Sequence, residues 1–438
     1  MKKSIYLIVL IVALTLIVVG CTTSVVPPTE QTSGPIKGAF GSTVYVDVNN
    51  ILGPWDGSSS NPFSTIQAAI NDLATISGDT ILVAAGTYID DENGDGDDQD
   101  ASEGGLVADI CKSNLTLRST DGPEVTIIKS RGTEGDGAVR IRGADDGTPT
   151  TGVTVDGFTV YNTGEANSGA GILIGCWFAG DMGHPANDNT VKNCIIGSST
   201  DPSLSPTNGV YLWNTTGNII QGNIIYKARN KPVGFGCGIM VWGGWDQNAP
   251  SSNNQIIDNE IYDSDRYGIF IGGFPQLNYG NHTISGNTIT GSSGAPGIGL
   301  WNILGCDTIT INFNNIYDNV YGISASGCDA TVDATCNWWG DVSGPSHLTN
   351  PLGTGDAVSN EVDFDPWLLG AVPDAVCLDY DWFGFGQIVE CMLSAKNHGQ
   401  FVSCVAHLTN SWLKQGLILS VEKGAIMNWA AKSDIGKK

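Results

Sequence analysis

The chain is poor in basic residues and in charged residues generally. Among its 438 residues, 20 are Lys or Arg against 45 Asp or Glu, so the formal net charge is −25, and charged residues make up only 15% of the total. Phosphate contacts require Lys and Arg, so this balance argues against nucleic acid as a partner. A polyanionic ligand would also be repelled unless a cation or a local basic patch intervened.

Zinc-binding patterns are missing as well. No Cys-x-x-Cys occurs and the five His residues are scattered, which argues against a structural zinc site. Eleven Cys are nevertheless present, and in an exported protein they can form disulfides. Cys306 and Cys328 each lie between a Gly and an Asp at equivalent points of consecutive repeats. We therefore expect either a disulfide between them or two buried free thiols.

The middle part of the chain instead contains a repeated sequence motif. An Asn turn is followed by an Ile, and then by a Gly that starts a strand of alternating apolar residues. Gly209, Gly238, Gly268 and Gly297 start such strands at intervals of 29, 30 and 29 residues. Alternation and abundant Ile, Val and Thr indicate strands, and the fixed period predicts a solenoid of stacked parallel strands. The Asn side chains at the bends should then bond along the stack.

Further motifs flank the repeats. Residues 43–47, 61–70 and 78–88 precede them, and residues 337–345 and 362–367 follow them. Asn61 before Pro62 is typical of a helix N-terminus, and Phe63, Ile66, Ala69 and Ile70 give that helix one apolar face. We expect this helix to close the open end of the stack.

Over roughly residues 43–368, these motifs resemble the right-handed parallel β-helix proteins of pectin-lyase-like type. The resemblance implies an all-β fold, a right-handed parallel β-helix solenoid with an N-terminal capping helix. After residue 367 the apolar spacing becomes helical, which predicts a small C-terminal helical module. The expected organisation is a signal peptide at 1–20, a flexible tether at 21–40, the β-helix at 41–369 and the helical module at 370–438.

The first residues indicate export. Lys2 and Lys3 precede an apolar run at 5–19, and Cys21 follows Gly20 directly. This arrangement resembles a bacterial lipobox, which implies cleavage before Cys21 and lipidation of that residue. The alternative is an ordinary signal peptide or an uncleaved anchor. The expected location is the extracytoplasmic side of a membrane, with the lipid as anchor.

Aromatic residues occupy outward positions of the Gly-led strands. The first and third residues after each Gly should face inward, so the second and fourth face outward. Ring faces pack on the C–H groups of sugars while neighbouring polar groups bind the hydroxyls, so these positions predict a carbohydrate-binding groove. The candidate contact residues are Tyr211, Trp213, Trp242, Trp245, Phe270 and Trp301. The alternative is that long loops or the C-terminal segment cover these rings.

Several charged residues lie beside the Asn turns, at matching positions of two consecutive repeats. Stacking should bring Lys227 near Asp263 and Arg229 near Asp265. The pairs indicate either ion pairs between windings or a carboxylate and Arg set for proton abstraction, so Asp263, Asp265 and Arg266 are weak catalytic candidates. The motifs of polygalacturonase-like and alginate-epimerase-like sites are absent. Whether the chain is an enzyme stays open; a polysaccharide lyase, an epimerase and a glycosidase are the classes to consider.

One acidic loop suggests a metal. Asp91, Asn93, Asp95 and Asp97 alternate as in the opening of a calcium loop, with Gly96 at the sixth position and Ser102 where a Glu is usual. We expect calcium here, and the alternative is a solvated acidic loop.

The sequence thus predicts a lipid-anchored extracytoplasmic β-helix that binds, and in one version processes, a polysaccharide or surface glycan. The rival hypothesis is a non-catalytic structural or adhesive protein of the cell surface. Composition and motifs give no indication of the oligomeric state.

Overall fold

A computed structural model describes residues 41–89, 105–131, 137–144, 146–163, 169–175, 185–229, 235–243, 251–273, 279–373, 377, 385–418, 420–433 and 435–436. The predicted signal peptide and tether, the calcium loop with Asp91, Asn93, Asp95 and Asp97, and the residues Cys21 and Trp245 lie outside these ranges.

Three parallel sheets make up most of the described chain; the first has eleven strands and the other two have eight each, so most windings contribute one strand to each sheet. The first sheet consists of Thr43–Val46, Thr80–Val83, Thr116–Ser119, Thr154–Asp156, Thr190–Lys192, Ile219–Gln221, Gln255–Ile257, Thr283–Ser285, Thr310–Asn312, Val332–Asp333 and Val362–Asp363. The second consists of Gly86–Ile89, Thr126–Ser130, Thr159–Asn162, Ile195–Ile196, Ile224–Tyr226, Glu260–Tyr262, Thr288–Thr290 and Asn315–Tyr317.

The third sheet carries the Gly-led strands. It consists of Ala108–Ile110, Val139–Ile141, Ala170–Ile174, Asn208–Trp213, Cys237–Gly243, Ile269–Gly273, Ile298–Trp301 and Ile323–Ser324. A short pair, Thr150–Thr151 and Ala186–Asn187, lies outside the three sheets. This is the predicted parallel β-helix, and windings one period apart lie directly on one another.

The interior is filled by apolar residues from all three sheets: one per strand in the middle windings of the first two sheets, and two per strand in the third. In the first sheet, Ile220, Ile256 and Ile284 occupy register-matched inward positions, and each is fully buried. The same holds for Ile225, Ile261 and Ile289 in the second sheet. No winding can bury its Ile alone, so the core exists only through stacking.

The predicted Asn stacks are present at two corners. In the longer one, the backbone N–H of each Asn donates to the side-chain oxygen of the next at 2.9–3.0 Å. Its members are Asn223, Asn259, Asn287, Asn314 and Asn337. The shorter stack runs through Asn189, Asn218 and Asn254, and it ends at His282, whose Nδ1 accepts from the Asn254 N–H at 3.2 Å.

A helix closes the first winding, as predicted, but it begins later than expected. Helix α1 spans Ile66–Asn71, and the Thr65 side chain caps it by accepting from the Ala68 N–H. The expectation that Asn61 is the N-cap is wrong, because Asn61 is held in a turn by the Ser58 carbonyl and the Asp56 side chain. Ile66, Ala69 and Ile70 are buried against the core, so the plugging role is confirmed.

The C-terminal part is helical, as predicted. Helices α2 (Phe385–Ser394), α3 (His398–Lys414) and α4 (Ser420–Lys432) follow the last winding. The Trp429 Nε1 donates to the Leu369 carbonyl, and the apolar core of the helices is continuous with that of the solenoid. The module therefore packs against the C-terminal end of the solenoid. None of the helices among the described residues is long and apolar enough to cross a membrane.

Disulfides fasten the later windings. The predicted Cys306–Cys328 bond is present, so the alternative of two free thiols is wrong for this pair. Cys336–Cys377 ties a late winding to the chain beyond Leu368, and Cys391–Cys404 joins α2 to α3. Cys194 and Cys237 are free and buried.

Candidate functional site

The outer face of the third sheet carries two columns of side chains, defined by strand register. The first column contains Tyr211, Met240, Phe270 and Gly299, and the second contains Trp213, Trp242, Gly272 and Trp301. The predicted alternation is therefore confirmed at these positions. Val210, Leu212 and their counterparts in the next windings face the interior and are fully buried.

The N-terminal part of these columns is covered. Tyr211, Trp213 and Phe270 are only 2%, 4% and 5% exposed, and they pack with Met240 and Cys237 in an apolar cluster separate from the main core. Burial raises the pKa of the Tyr211 phenol well above its usual range. Three of the predicted sugar-contact residues thus form a second core on the outside of the sheet and offer little surface to a ligand.

The end of the second column is open. Trp301 is 49% exposed, and its ring lies 6.2 Å from that of the half-buried Trp242 with an interplanar angle of 12°. Trp242 in turn stacks on Phe270, with 6.1 Å between ring centroids. The exposed indole therefore stacks on a half-buried one, which in turn stacks on the buried Phe270 ring. We call the pair Trp242 and Trp301 the indole platform.

Glycines explain why the platform exists. Gly272 lies between Trp242 and Trp301 in the register, so no side chain separates the two indoles. A Cβ at Gly272 would come within 2.8 Å of the Phe270 ring. Likewise, a Cβ at Gly299 would lie 2.4 Å from the Tyr267 ring. Both positions exclude any larger residue unless the rings move.

Polar groups border the platform. Asn302 follows Trp301 in the left-handed conformation, with φ of 57°, and its side chain donates to the Gly273 carbonyl at 3.2 Å. In the next winding, Ser324 pairs in register with Gly299, and its hydroxyl lies 3.1 Å from that of the exposed Ser326. The Cys306–Cys328 disulfide fastens the segment after Trp301 to this winding. Hydroxyl and amide groups thus lie near an exposed indole.

Arg266 lies at the rim of the covered cluster. Its guanidinium is 5.5 Å from the centre of the Tyr267 ring, and that ring is 4.7 Å from Phe270. Burial raises the pKa of Tyr267, and the nearby Arg266 charge opposes the rise. The other two catalytic candidates, Asp263 and Asp265, are exposed on the preceding bend, where Asp263 has φ of 54°.

The predicted partners of these carboxylates bind elsewhere. The Lys227 ammonium donates to the Ser199 carbonyl at 2.6 Å, and the Arg229 Nε donates to the Ser205 carbonyl at 3.2 Å. Both cations therefore reach back to the preceding winding rather than forward. These contacts of Lys227 and Arg229 differ from the predicted pairs, and the catalytic role of Asp263, Asp265 and Arg266 stays a prediction.

A charged cluster that the sequence did not reveal lies on the same sheet face, nearer the N-terminus. Arg140 approaches Asp109 with both Nε and a terminal nitrogen at 3.0 Å, and the Arg142 Nε also lies 3.0 Å from this carboxylate. All three residues are at most 8% exposed. Strand register pairs Asp109 with Arg140, so the repeat alignment of residues 108–110 with 139–141 was the signal that could have found it.

Metal ligands are not grouped in the described part of the chain, where no three His, Cys, Asp or Glu side chains cluster suitably. The predicted calcium loop lies outside it. His282 is used structurally, because its Nδ1 accepts the Asn254 N–H and its Nε2 faces the Ser251 carbonyl at 3.2 Å. Burial lowers the pKa of His282 to about 4, so the ring is neutral at pH 7 with the proton on Nε2.

Comparison with known proteins agrees with this architecture. Residues 114–316 match the family model described as the right handed β-helix region, which confirms the predicted handedness. No curated protein matches the chain.

Solved structures with a similar backbone include ORF18 of Geobacillus virus E2, with 15% identity, a TM-score of 0.46, and coverage of 74% of this chain and 60% of that one. The GH136 lacto-N-biosidase of Eubacterium ramulus has 14% identity and a TM-score of 0.43, and the match covers 68% of this chain and 55% of that one. The pectate lyase Pel9A has 15% identity and a TM-score of 0.41, and the match covers 75% of this chain and 80% of that one. This chain thus spans between half and two thirds of the first two proteins. These likenesses concern the fold alone.

Proposed function

We propose that this protein is a lipid-anchored extracytoplasmic β-helix that binds a polysaccharide or surface glycan at the indole platform. The observation that supports it best is the exposed Trp301, whose ring stacks on that of the half-buried Trp242. The two indoles together present a continuous aromatic surface on the strand face, and contiguous exposed apolar surface is typical of a contact site.

Sugar is the ligand class that suits this surface. The apolar face of a pyranose ring packs on an indole, and hydroxyls around the ring need hydrogen-bond partners at its edge. Asn302 follows Trp301 in the chain, and Ser324 and Ser326 belong to the next winding, so these are the polar groups that we propose for this role. The platform lies on an open sheet face rather than in a closed cavity, so a polymer can lie across it without threading an end.

The charge of the protein favours a neutral glycan. With a formal charge of −25, the chain repels polyanions over a distance set by the ionic strength. The two arginines of the Asp109 cluster are buried and bound to that carboxylate, so they do not give the platform a basic surface. An acidic polysaccharide would need calcium as a bridge, which connects it with the separate proposal of a calcium site at Asp91, Asn93, Asp95 and Asp97.

Binding is tested by screening the purified protein against neutral and acidic oligosaccharides, with and without calcium. Trp301→Ala should weaken binding of the best ligand at least about tenfold, since a stacked sugar ring loses its aromatic partner. The matched control is Trp55→Ala, because Trp55 is 50% exposed and lies in the first winding. Equal affinities of the two variants, or no ligand in the whole panel, would contradict the proposal.

Processing of the glycan is the finer part of the proposal. Asp263, Asp265 and Arg266 are its candidates, and Arg266 is the one that lies against the aromatic cluster. A lyase would release unsaturated uronates that absorb in the near ultraviolet. If acidic polysaccharides with calcium give no such absorbance and no reducing ends, the protein binds without cleavage.

A structural or adhesive role is the second candidate. The observation in its favour is the burial of Tyr211, Trp213 and Phe270, which stiffens the outside of the sheet without offering ligand contacts. If Trp301 contacts no glycan, this role stands as the better account of the aromatic columns.

A further inference from the structure

A short loop in the first winding exposes large apolar side chains. Ile51 is 72% exposed, Leu52 is 90% exposed and Trp55 is 50% exposed, and the three lie within five consecutive residues after the strand Thr43–Val46. Single exposed apolar residues are ordinary, but a contiguous group of this size marks a contact surface. This loop is far from the indole platform along the stack of windings.

The loop is held in shape rather than left to collapse. The Trp55 Nε1 donates to the Asn50 carbonyl at 2.6 Å, and the Asn50 side chain donates to the Pro62 carbonyl at 2.6 Å. Gly53 has φ of +61°, and a Cβ there would lie 3.3 Å from the Trp55 ring. The indole therefore packs against the Gly53 backbone, while Ile51 and Leu52 point into solvent.

The surroundings indicate an apolar partner and not a charged one. Residues 41–76 contain no Lys and no Arg, and their acidic residues are Asp47, Asp56 and Asp72. The nearby Lys112 ammonium is bound to the carbonyls of Ile70, Asp72 and Thr75, so electrostatic attraction to an anionic surface is not the driving force that we invoke. Two aliphatic side chains beside an indole whose N–H is already bonded suit the boundary between lipid headgroups and acyl chains.

We infer that residues 51–55 insert into the outer surface of the bilayer that carries the lipid anchor, an inference that rests on the proposed lipidation of Cys21. Nineteen residues, 22–40, lie between Cys21 and Gly41, where the described chain begins. If they form the flexible tether that the sequence predicts, they would span roughly 25 Å on average and keep the first winding near the membrane. Insertion then sets the direction of the solenoid, with the windings that carry Trp301 farther from the lipid.

The experiment uses the full chain reconstituted into phosphatidylcholine vesicles with brominated acyl chains, which quench indoles at acyl-chain depth. Since Trp55 is one of 12 Trp residues, the wild type should lose roughly a twelfth of its emission relative to unbrominated vesicles. Trp55→Phe should abolish this loss, whereas Trp301→Phe, with 49% exposure, should leave it intact. High salt should change nothing, because the contact is apolar.

A second pair of variants distinguishes specific insertion of the loop from nonspecific hydrophobic adsorption of the protein to the vesicles. Ile51→Asp with Leu52→Asp should also abolish the quenching. The control is Leu348→Asp with Leu352→Asp, since these side chains are 87% and 71% exposed near the other end of the solenoid. Quenching that persists in Trp55→Phe, or that falls equally in both double variants, overturns the inference.

Co-flotation with vesicles distinguishes insertion of the loop from the proposed lipid anchor at Cys21, on which the inference rests. Flotation without Trp55 quenching overturns loop insertion but leaves the anchor standing. No flotation overturns both, and it leaves glycan binding at Trp301 to be decided by its own test.

Discussion

The Asn stacks at the corners and the aromatic columns on the third sheet are both built from side chains one winding apart, yet they have different fates. Every Asn of the longer stack is fully buried and bonded to the next. Along the aromatic columns, exposure rises from 4% at Trp213 to 49% at Trp301. Stacking within the repeat determines the first arrangement completely. The second depends on what lies beside the sheet, and this is where a binding surface can arise.

The largest effect should come from breaking the Asn stack. Asn259 accepts from the Asn223 N–H and the Asn223 side chain, and it donates to the Ile220 carbonyl at 2.8 Å. Asn259→Ala leaves these buried groups without partners, so we expect a loss of about 3–5 kcal/mol in the free energy of unfolding. Denaturant titration against Gln255→Ala, an exposed position four residues earlier, measures it. A loss below 1 kcal/mol would mean that the stack is not a stabilising element.

The His282 end of the shorter stack should make stability depend on pH. Its pKa is lowered to about 4 by burial, while the unfolded chain titrates near 6.5, so the unfolded state binds the proton first as the pH falls. Stability from this group is complete above pH 6.5 and is lost progressively towards pH 4, by about 3 kcal/mol in all. His282→Asn should remove this component, and His407→Asn, at an exposed site, should not. Identical pH profiles for both variants would contradict the assignment.

A somewhat smaller effect is expected from the disulfide next to the platform. Replacing Cys306 and Cys328 with Ser opens a loop with a sequence separation of 22, which should cost about 2–3 kcal/mol. Since the bond fastens the segment after Trp301 to the next winding, glycan affinity should fall as well. The control is the double Ser variant of Cys391 and Cys404 in the helical module, which should lose stability without losing affinity.

The smallest effect should come from the covered column. The Tyr211 hydroxyl is buried and has no hydrogen-bond partner among the described residues. Tyr211→Phe should therefore leave stability unchanged or raise it by about 1 kcal/mol, because an unsatisfied buried hydroxyl is removed. A clear fall in the melting temperature would show that the hydroxyl makes a stabilising contact, which would contradict an apolar cover over Tyr211.

The repeat explains how much could be predicted from sequence. Fixed spacing of Gly209, Gly238, Gly268 and Gly297 was enough for the solenoid and the strand register, and the Asn turns were enough for the stacks. The strand register and the Asn stacks depend only on residues one repeat period apart, and these residues can be identified from a single sequence.

The candidate site depended on contacts that the period does not encode. Tyr211 and Trp213 are buried in an apolar cluster against which Phe235 and Tyr267 pack, and these two residues lie outside the repeated strands. The sequence therefore left the burial of Tyr211 and Trp213 as one of two alternatives. The importance of Gly272 was invisible because a missing side chain matters only once the rings on either side are located. Lys227 bonded to a carbonyl of the preceding winding, since a long side chain can reach in either direction along the stack.

The most direct test of the account compares the exposed and covered ends of one aromatic column in a single assay. Affinity for the best oligosaccharide is measured by titration calorimetry for Trp301→Ala and for Trp213→Phe. The account predicts a loss of at least about tenfold for Trp301→Ala and less than about twofold for Trp213→Phe, because only the first ring meets solvent. The opposite order, or equal losses, would contradict it.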